Sequence, residues 1–456
     1  MKKKIKFFSQ GVNDHCNSST LKFIAFLFIC NFADLESNAQ KQKTNSSIIV
    51  SGVVKDAVNG MLLDSVIISA GEFSTTSDAE GVYTLKLIAK DIEKEKLTFT
   101  KKNFYSLQMA VPAKSTNNIV AKMKSPYPLL NILHLFTDET IPNRGPNESP
   151  TTPKCADTTF VPDLIGGQLK RHNFIYIGEN YRRICVVIDG KLAWQYDTEN
   201  TWEDDEIWVL SNGNILHAHM KYIEELTPKK EVVWRYDNPP GTEIHTCQPI
   251  GTDKVLFLQN QGLASVVKLY NKVNKKFEID KELKELSGSV HGQCRRLRMT
   301  DRGTFVAATM STHTFYEYDK NFNLIWSFDP GQMWGGVPLK NGNFLLQNEK
   351  SLTSIEINRK GEIVWQVSIA DIQNQLDSLA PNLGKVTATQ TCERLSNGNT
   401  VVFTRFCNSQ LPQAIEVTPE KKVVWILQDW KNLGDSVSAQ FFDEPGYPEI
   451  PGDTNH

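Results

Sequence analysis

The ten residues Ser289-Val290-His291-Gly292-Gln293-Cys294-Arg295-Arg296-Leu297-Arg298 hold one imidazole, one carboxamide and three guanidiniums. A guanidinium is a permanent cation whose donor fork matches the oxygens of sulfate or a carboxylate. An imidazole changes charge near neutral pH and can act as base or nucleophile. His291, or His245 in the related run His245-Thr246-Cys247-Gln248, could serve in that role while Arg295 stabilises developing negative charge. These three are the candidate catalytic residues. His217, His219, Gln293, Arg298, Trp334, Gln390 and Arg394 are the candidate ligand-binding residues. His217 and His219 are two apart and share one face of a strand. Trp334-Gly335-Gly336 offers a flat apolar surface with close backbone access. Trp202 with Asp204, Asp205 and Glu206 adds an acidic cluster. His217, His219 and the Asp204/Asp205 pair come from different strands and no Cys/His spacing suggests zinc, so no metal is expected. No adjacent-Cys pair, GxGxxG, P-loop or nucleophile elbow occurs in a fitting context, and no cofactor is expected.

The elements that position these residues repeat. Gly190-Lys191-Leu192-Ala193-Trp194, Lys230-Glu231-Val232-Val233-Trp234, Asn323-Leu324-Ile325-Trp326, Gly361-Glu362-Ile363-Val364-Trp365 and Lys421-Lys422-Val423-Val424-Trp425 are copies of one strand, and Lys275-Lys276-Phe277-Glu278-Ile279-Asp280 is a degenerate one. The aromatics recur mostly every 40–50 residues or so, the period of propeller blades. Between them lie Leu210-Ser211-Asn212-Gly213-Asn214, Leu339-Lys340-Asn341-Gly342-Asn343 and Leu395-Ser396-Asn397-Gly398-Asn399, whose Asn-Gly pairs suit tight turns. Each unit reads as a four-stranded blade, six in all, with the Trp packed between neighbours. The stretched gap before Trp425 holds residues 371–379, read as an insertion rather than a seventh blade. The first unit lacks an opening strand, and Ser438-Ala439-Gln440-Phe441-Phe442 can supply it, removing the open sheet edges. The candidate chemistry then sits on blade-opening strands, which line the channel of a propeller.

These blades resemble the quinoprotein-like and arylsulfotransferase-like propellers, through the Asn-Gly-Asn-hydrophobic strand and the Gly-x-Val/Ile-Val-Trp strand. The resemblance implies a fold more than a chemistry. An arylsulfotransferase would use a catalytic His that accepts the sulfuryl group, and His245 and His291 occupy suitable blade-opening positions.

Residues 48–123 form a separate series of short strands, including Ile48–Val54, Val66–Ile68 and the alternating Val82–Leu87. Gly52, Val53, Val54, Asp56, Gly60, Thr76, Asp78, Gly81 and Tyr83 resemble the carboxypeptidase regulatory-like domain, an accessory module of exported polypeptides. The whole is therefore all-β: a small immunoglobulin-like or transthyretin-like sandwich, then a propeller. Residues 124–162, with Pro126, Pro128, Pro142, Pro146, Pro150 and Pro153, read as a linker, 163–446 as the propeller and 447–456 as a tail.

Residues 1–39 read as a secretory signal: a basic start, the apolar run Leu21–Cys30 and a small-residue exit at Ser37-Asn38-Ala39. Export to the periplasm, cell surface or exterior is expected, with no membrane span in the mature chain. Cys155, Cys185, Cys247, Cys294, Cys392 and Cys407 would remain, spread too widely for a disulfide framework and read as buried thiols. Fifty Lys+Arg against 52 Asp+Glu leave a net charge of −2, which excludes a global basic field and with it nucleic acid as a partner. Three functions compete. The first is an envelope propeller binding a small anionic or carbohydrate ligand at the channel mouth. The second is an arylsulfotransferase-like or carbohydrate-active enzyme. The third is a scaffold for an envelope protein partner.

Overall fold

The computed structural model describes residues 47–88, 95–137, 172–178, 183–198, 203–381, 384–405, 411–429, 433 and 437–456. The signal reading at 1–39 and most of the linker lie outside them, as do Cys155 and Cys407. Ser46–His456 form one compact unit. Among the described residues no helix is long and apolar enough to cross a membrane.

The sandwich pairs two sheets. One has Ser47–Asp56 in its middle, antiparallel to Val82–Ile88 and parallel to Thr116–Met123. The other runs Phe73–Thr76, Ile67–Ala70, Lys96–Thr100, Leu107–Ala110. Alternation along Val82–Ile88 puts Tyr83, Leu85 and Leu87 into a core with Val50, Val54, Ile68 and Phe99. The turn before that strand is held by Asp78, whose Oδ1 accepts from Val82 N at 2.7 Å, and Gly81 takes the left-handed φ of +69°. Asn59 Nδ2 donates to Ser211 O at 3.0 Å, joining this domain to the propeller. Tyr447 OH donates to Asp56 Oδ2 at 2.8 Å and accepts from Ser125 N at 2.8 Å.

Among the described residues the propeller has six four-stranded antiparallel sheets. Five are continuous in sequence. The first is completed by Ser438–Phe441 pairing with Phe174–Ile177, as the missing opening strand required. The insertion before the last blade is an α-helix, Ile369–Leu379, started by a capping box between Ser368 and Asp371. Ile372 and Leu376 bury its inner face against Ile415, Val417 and Ile426. Part of the expected linker is structured: Leu129–Leu135 is a 3-10 helix. Leu129 and Ile132, together with Phe136 just beyond it, join a core cluster that includes Trp194 and Phe442.

Each repeated Trp packs on the next blade. Trp194 Nε1 donates to Pro228 O at 2.7 Å and Trp365 Nε1 to Pro419 O at 2.8 Å, both carbonyls lying in the following blade's outer turn. The Asn-Gly turns are equally regular, with Gly213, Gly342 and Gly398 at φ of +92°, +86° and +89°. The last Asn of each turn donates to a buried Glu of its own blade: Asn214 to Glu225, Asn343 to Glu356 and Asn399 to Glu416. Thr304 serves Glu317 likewise. A basic group from the following blade then clamps each carboxylate: Lys272 on Glu225, Arg359 on Glu317, Arg394 on Glu356 and His172 on Glu416.

Two outcomes test this packing. Trp194 is 1% exposed, whereas Trp326 is half-buried. Trp194→Ala is expected to cost about 3–5 kcal/mol in urea unfolding and Trp326→Ala less, and equal losses would contradict the role assigned to the first. His172 sits 3.0 Å from Glu416 and 3.1 Å from Asp443. Burial disfavours its charge, but the two carboxylates outweigh burial and hold its pKa up to about 9. A raised imidazole pKa stabilises fully below the unfolded value and is lost as pH rises through the folded one. The melting temperature should therefore fall between about pH 6.5 and about pH 9. His172→Gln should lessen that fall, and a fall of unchanged size would refute the assignment.

Candidate functional site

The channel is lined by six inner strands: Asp204–Val209, Glu243–Ile250, Cys294–Met299, Met333–Pro338, Thr389–Arg394 and Ser438–Phe441. They run in one direction, so their first residues gather at one mouth and their last at the other. Five carry a register shift near the start, between Asp204 and Glu206, Ile244 and Cys247, Cys294 and Arg296, Met333 and Gly335, and Thr389 and Cys392. A bulge sets two residues against one and breaks strict alternation. Consecutive side chains can then act on the same side. Arg295 and Arg296 both lie 5.4 Å from the Trp334 ring.

At the first mouth the fold gathers Glu203, Asp205, Glu243, His245, His291 and Arg295. His245 is fully buried, with Nδ1 2.8 Å from Asp205 Oδ2 and Nε2 3.1 Å from Glu243 Oε2. Arg295, 1% exposed, places Nη1 3.1 Å from Glu203 Oε2, 3.5 Å from Asp205 Oδ1 and 2.8 Å from His245 Nδ1. Its Nη2 reaches His291 Nε2 at 2.8 Å. His291 Nδ1 lies 3.1 Å from Glu243 Oε2, and the two imidazoles meet edge to face at 5.5 Å. Only His291 is substantially exposed, at 44%, with Glu203 and Glu243 at 14%. Lys221 Nζ approaches Glu243 Oε1 only at 4.0 Å. Burial and Arg295 push the His245 pKa down, but Asp205 and Glu243 outweigh them and raise it. Burial raises the Glu243 carboxyl and the two imidazoles overcome it, holding it well below the usual range.

One step deeper, Arg298 grips Glu206 with two bonds of 2.9 Å and lies 4.8 Å from the Trp208 ring. Arg296 adds a contact to Glu206 at 2.8 Å. Burial opposes ionisation of Glu206 and the arginines outweigh it, so its carboxyl is held low. The segment read as a tail completes this layer. His456 Nε2 donates to Ile207 O at 2.8 Å, its ring meets Trp208 edge to face at 4.3 Å, and its carbonyl accepts from Arg298 Nε at 3.0 Å. Before that, Glu449 accepts from Ser211 N and Oγ at 2.6 and 2.7 Å, and Asn455 accepts from Lys340 N at 3.1 Å. The segment thus lies across the second mouth, beside a cavity of about 410 Å³ whose lining includes Arg394, Glu393 and Glu444.

His245, His291 and Arg295 are therefore neighbours, with Trp334 beneath the guanidinium and too buried to face a ligand. The other candidates disperse. Gln293 clamps a loop, accepting from Gly262 N at 2.8 Å and donating to Gly262 O and Leu286 O at 2.8 and 2.7 Å. Arg394 is the clamp on Glu356, 4.7 Å from the Trp365 ring. Gln390 is fully buried in the last blade. His217 and His219 are also buried. His217 lies between Glu224 at 3.0 Å and Asp204 at 3.6 Å, and these carboxylates overcome burial to raise its pKa to about 9. His219 stacks on Tyr222 at 4.3 Å. Trp202 lies outside the described residues. Glu203 and Glu243 are the participants that sequence reasoning missed. Glu243 precedes His245 by two residues, the spacing that shares a strand face.

No family model matches the chain, and no curated protein matches it. Solved structures do. A protein of unknown function from Bacteroides caccae is 20% identical, with 60% of this chain and 99% of that one covered and a TM-score of 0.51. Virginiamycin B lyase from Staphylococcus aureus is 10% identical, with 58% of this chain and 88% of that one covered and a TM-score of 0.40. BamB from Moraxella catarrhalis is 11% identical, with 84% of this chain and 96% of that one covered and a TM-score of 0.34. The first of these likenesses, at that identity, concerns the fold alone, and the ring of four-stranded sheets makes the chain a β-propeller protein.

Proposed function

We propose that this is an exported propeller protein that binds a small carbohydrate ligand at the mouth formed by Glu203, Glu243 and His291. The observation that carries the reading is the way a buried polar network surfaces there. Arg295 and His245 are buried and bonded, and they hold in place the rim groups that reach solvent. Fixed carboxylate and imidazole edges exchange hydrogen bonds with hydroxyls at little ordering cost. An acidic ligand suits the mouth less well than a neutral sugar, because Arg295 already serves Glu203 and Asp205. The same geometry weighs against sulfuryl transfer. An attacking imidazole needs a free ring nitrogen, and both nitrogens of His245 and of His291 have partners.

In this reading residues 1–39 direct export, and the domain resembling a carboxypeptidase regulatory-like module is an accessory to the propeller. Calorimetry and thermal-shift titrations with neutral and acidic oligosaccharides test the binding. Neutral glycans should stabilise the protein, by about 2.7 kcal/mol at a concentration near 100 Kd. Glu243→Ala should weaken them at least tenfold. Absence of a shift with every glycan, or preference for acidic ones undiminished in Arg295→Met, would overturn the proposal.

A further inference from the structure

We propose that Glu243, His245 and His291 form a binding site for a divalent transition-metal ion of the zinc class. This goes beyond the carbohydrate reading and shares its mouth, but it does not require a sugar. The ligand atoms are Oε2 of Glu243, Nε2 of His245 and Nδ1 of His291. The carboxylate oxygen lies 3.1 Å from each of the two nitrogens. Two metal bonds of about 2.0–2.1 Å, meeting at angles between square and tetrahedral, set their donor atoms about 2.9–3.4 Å apart. The three side chains share a donor cluster compact enough for one ion. Two imidazoles with one carboxylate suit zinc and its neighbours better than magnesium or calcium, which prefer all-oxygen shells.

The surroundings supply a second, independent observation. Metal-bound imidazoles characteristically give their other ring proton to a carboxylate, which fixes the tautomer and raises the basicity of the ligating nitrogen. His245 Nδ1 lies 2.8 Å from Asp205 Oδ2, so a ring that keeps its proton there can exchange the Nε2 contact with Glu243 Oε2, at 3.1 Å, for an ion that the two share. Arg295 Nη1, also near that Nδ1, has its own acceptor in Glu203 Oε2 at 3.1 Å. At His291 Nε2 the neighbours are Arg295 Nη2 at 2.8 Å and Glu203 Oε1 at 3.6 Å, so binding through Nδ1 requires the ring proton to move to Nε2 and turn from Arg295 to Glu203. A second grouping, Glu203, Asp205 and His245, lies on the Nδ1 side, and there the Arg295 guanidinium already holds the cationic position. Charge makes the same distinction. Arg295 pairs with Glu203 and Asp205 but not with Glu243, whose one ammonium neighbour among the described residues is Lys221 Nζ at 4.0 Å, so Glu243 is the carboxylate left to an added cation. Three protein ligands leave coordination positions for water or a ligand hydroxyl on the exposed side of His291.

The test uses the full chain stripped with chelator, with no carbohydrate present. Titration with Zn2+ should show one equivalent bound. Co2+ should give the visible absorption of a nitrogen–oxygen site. His291→Ala and Glu243→Gln should each weaken Zn2+ at least 100-fold, and Asp205→Asn should weaken it roughly 10–100-fold through the imidazole it orients. His291 is only partly buried, so His291→Ala disturbs the interior less than Asp205→Asn does and remains informative even if Asp205→Asn folds poorly. No uptake of Zn2+ by the wild type, or uptake unchanged in both His291→Ala and Glu243→Gln, would overturn the assignment. Because the metal is read without sugar and neutral glycans can be titrated into the chelated protein, failure of one proposal is distinguishable from failure of the other.

Discussion

The pairing of Ser438–Phe441 with Phe174–Ile177 is the constraint on which the rest of this molecule depends. Without it the first blade would lack its inner strand and the channel would have a gap between the last blade and the second. With it every inner strand has a neighbour on both sides. Polar contacts then run from strand to strand: Val209 N to Gln440, Thr246 to Glu206, Met299 N to Gln248 and Thr391 to Val437 O. Closure also removes the unpaired edges that make open sheets prone to association.

Closure is reinforced at larger radius by a device that the sequence hides. Four buried glutamates each take a bond from a side chain of their own blade and a clamp from the next. Breaking such a pair leaves an unpaired buried carboxylate, which is far more costly than the intact pair is stabilising. The clamps therefore act as registration between blades more than as a source of stability. The Asn-Gly-Asn turns and the Trp strands were legible because their spacing within each element is fixed. The Asn-to-Glu separation is 11, 13 and 17 residues in three blades, since the intervening hairpins differ in length. No periodicity reveals it. Arg394 looked like a ligand-binding residue for the same reason: a cation at a blade opening reads identically whether its partner is a ligand or the glutamate of the preceding blade.

The mouth was legible in part. Imidazoles and guanidiniums at blade openings pointed to His245, His291 and Arg295, and the ring brings them together. Of their carboxylate partners, Asp205 was visible in the acidic cluster and Glu203 was passed over beside it, while Glu243, isolated in a chain with 52 acidic residues, carried no signal. The segment from residue 447 onward was equally opaque. It is short, holds two Pro, one Gly and one Asp among ten residues, and has no apolar period. Its anchorage comes from Glu449, Asn455 and His456 bonding to individual groups, which patterning cannot anticipate. The helical turn at Leu129–Leu135 was obscured by flanking prolines, although Leu129 and Ile132 mark one apolar face.

The bulges explain why the channel holds so much charge. In a regular strand Asp205 and Glu206, or Arg295 and Arg296, would project to opposite sides, and a channel could draw on only alternate residues. The register shifts let both members of each pair contribute. The outer pair, Asp205 and Arg295, meets His245, while the inner pair, Glu206 and Arg296, meets Arg298 and His456. The two layers differ in how their carboxylates are answered. Around Glu206 two guanidiniums answer one carboxylate, whereas at the rim three carboxylates surround one guanidinium. The polarity of the channel is thus set by backbone irregularity at one level of the ring, and it places the negative surplus beside the only strongly exposed imidazole of the cluster. A neutral hydroxylated ligand meets that rim without displacing an existing ion pair, whereas an anion has to compete with Glu203 and Asp205 for Arg295.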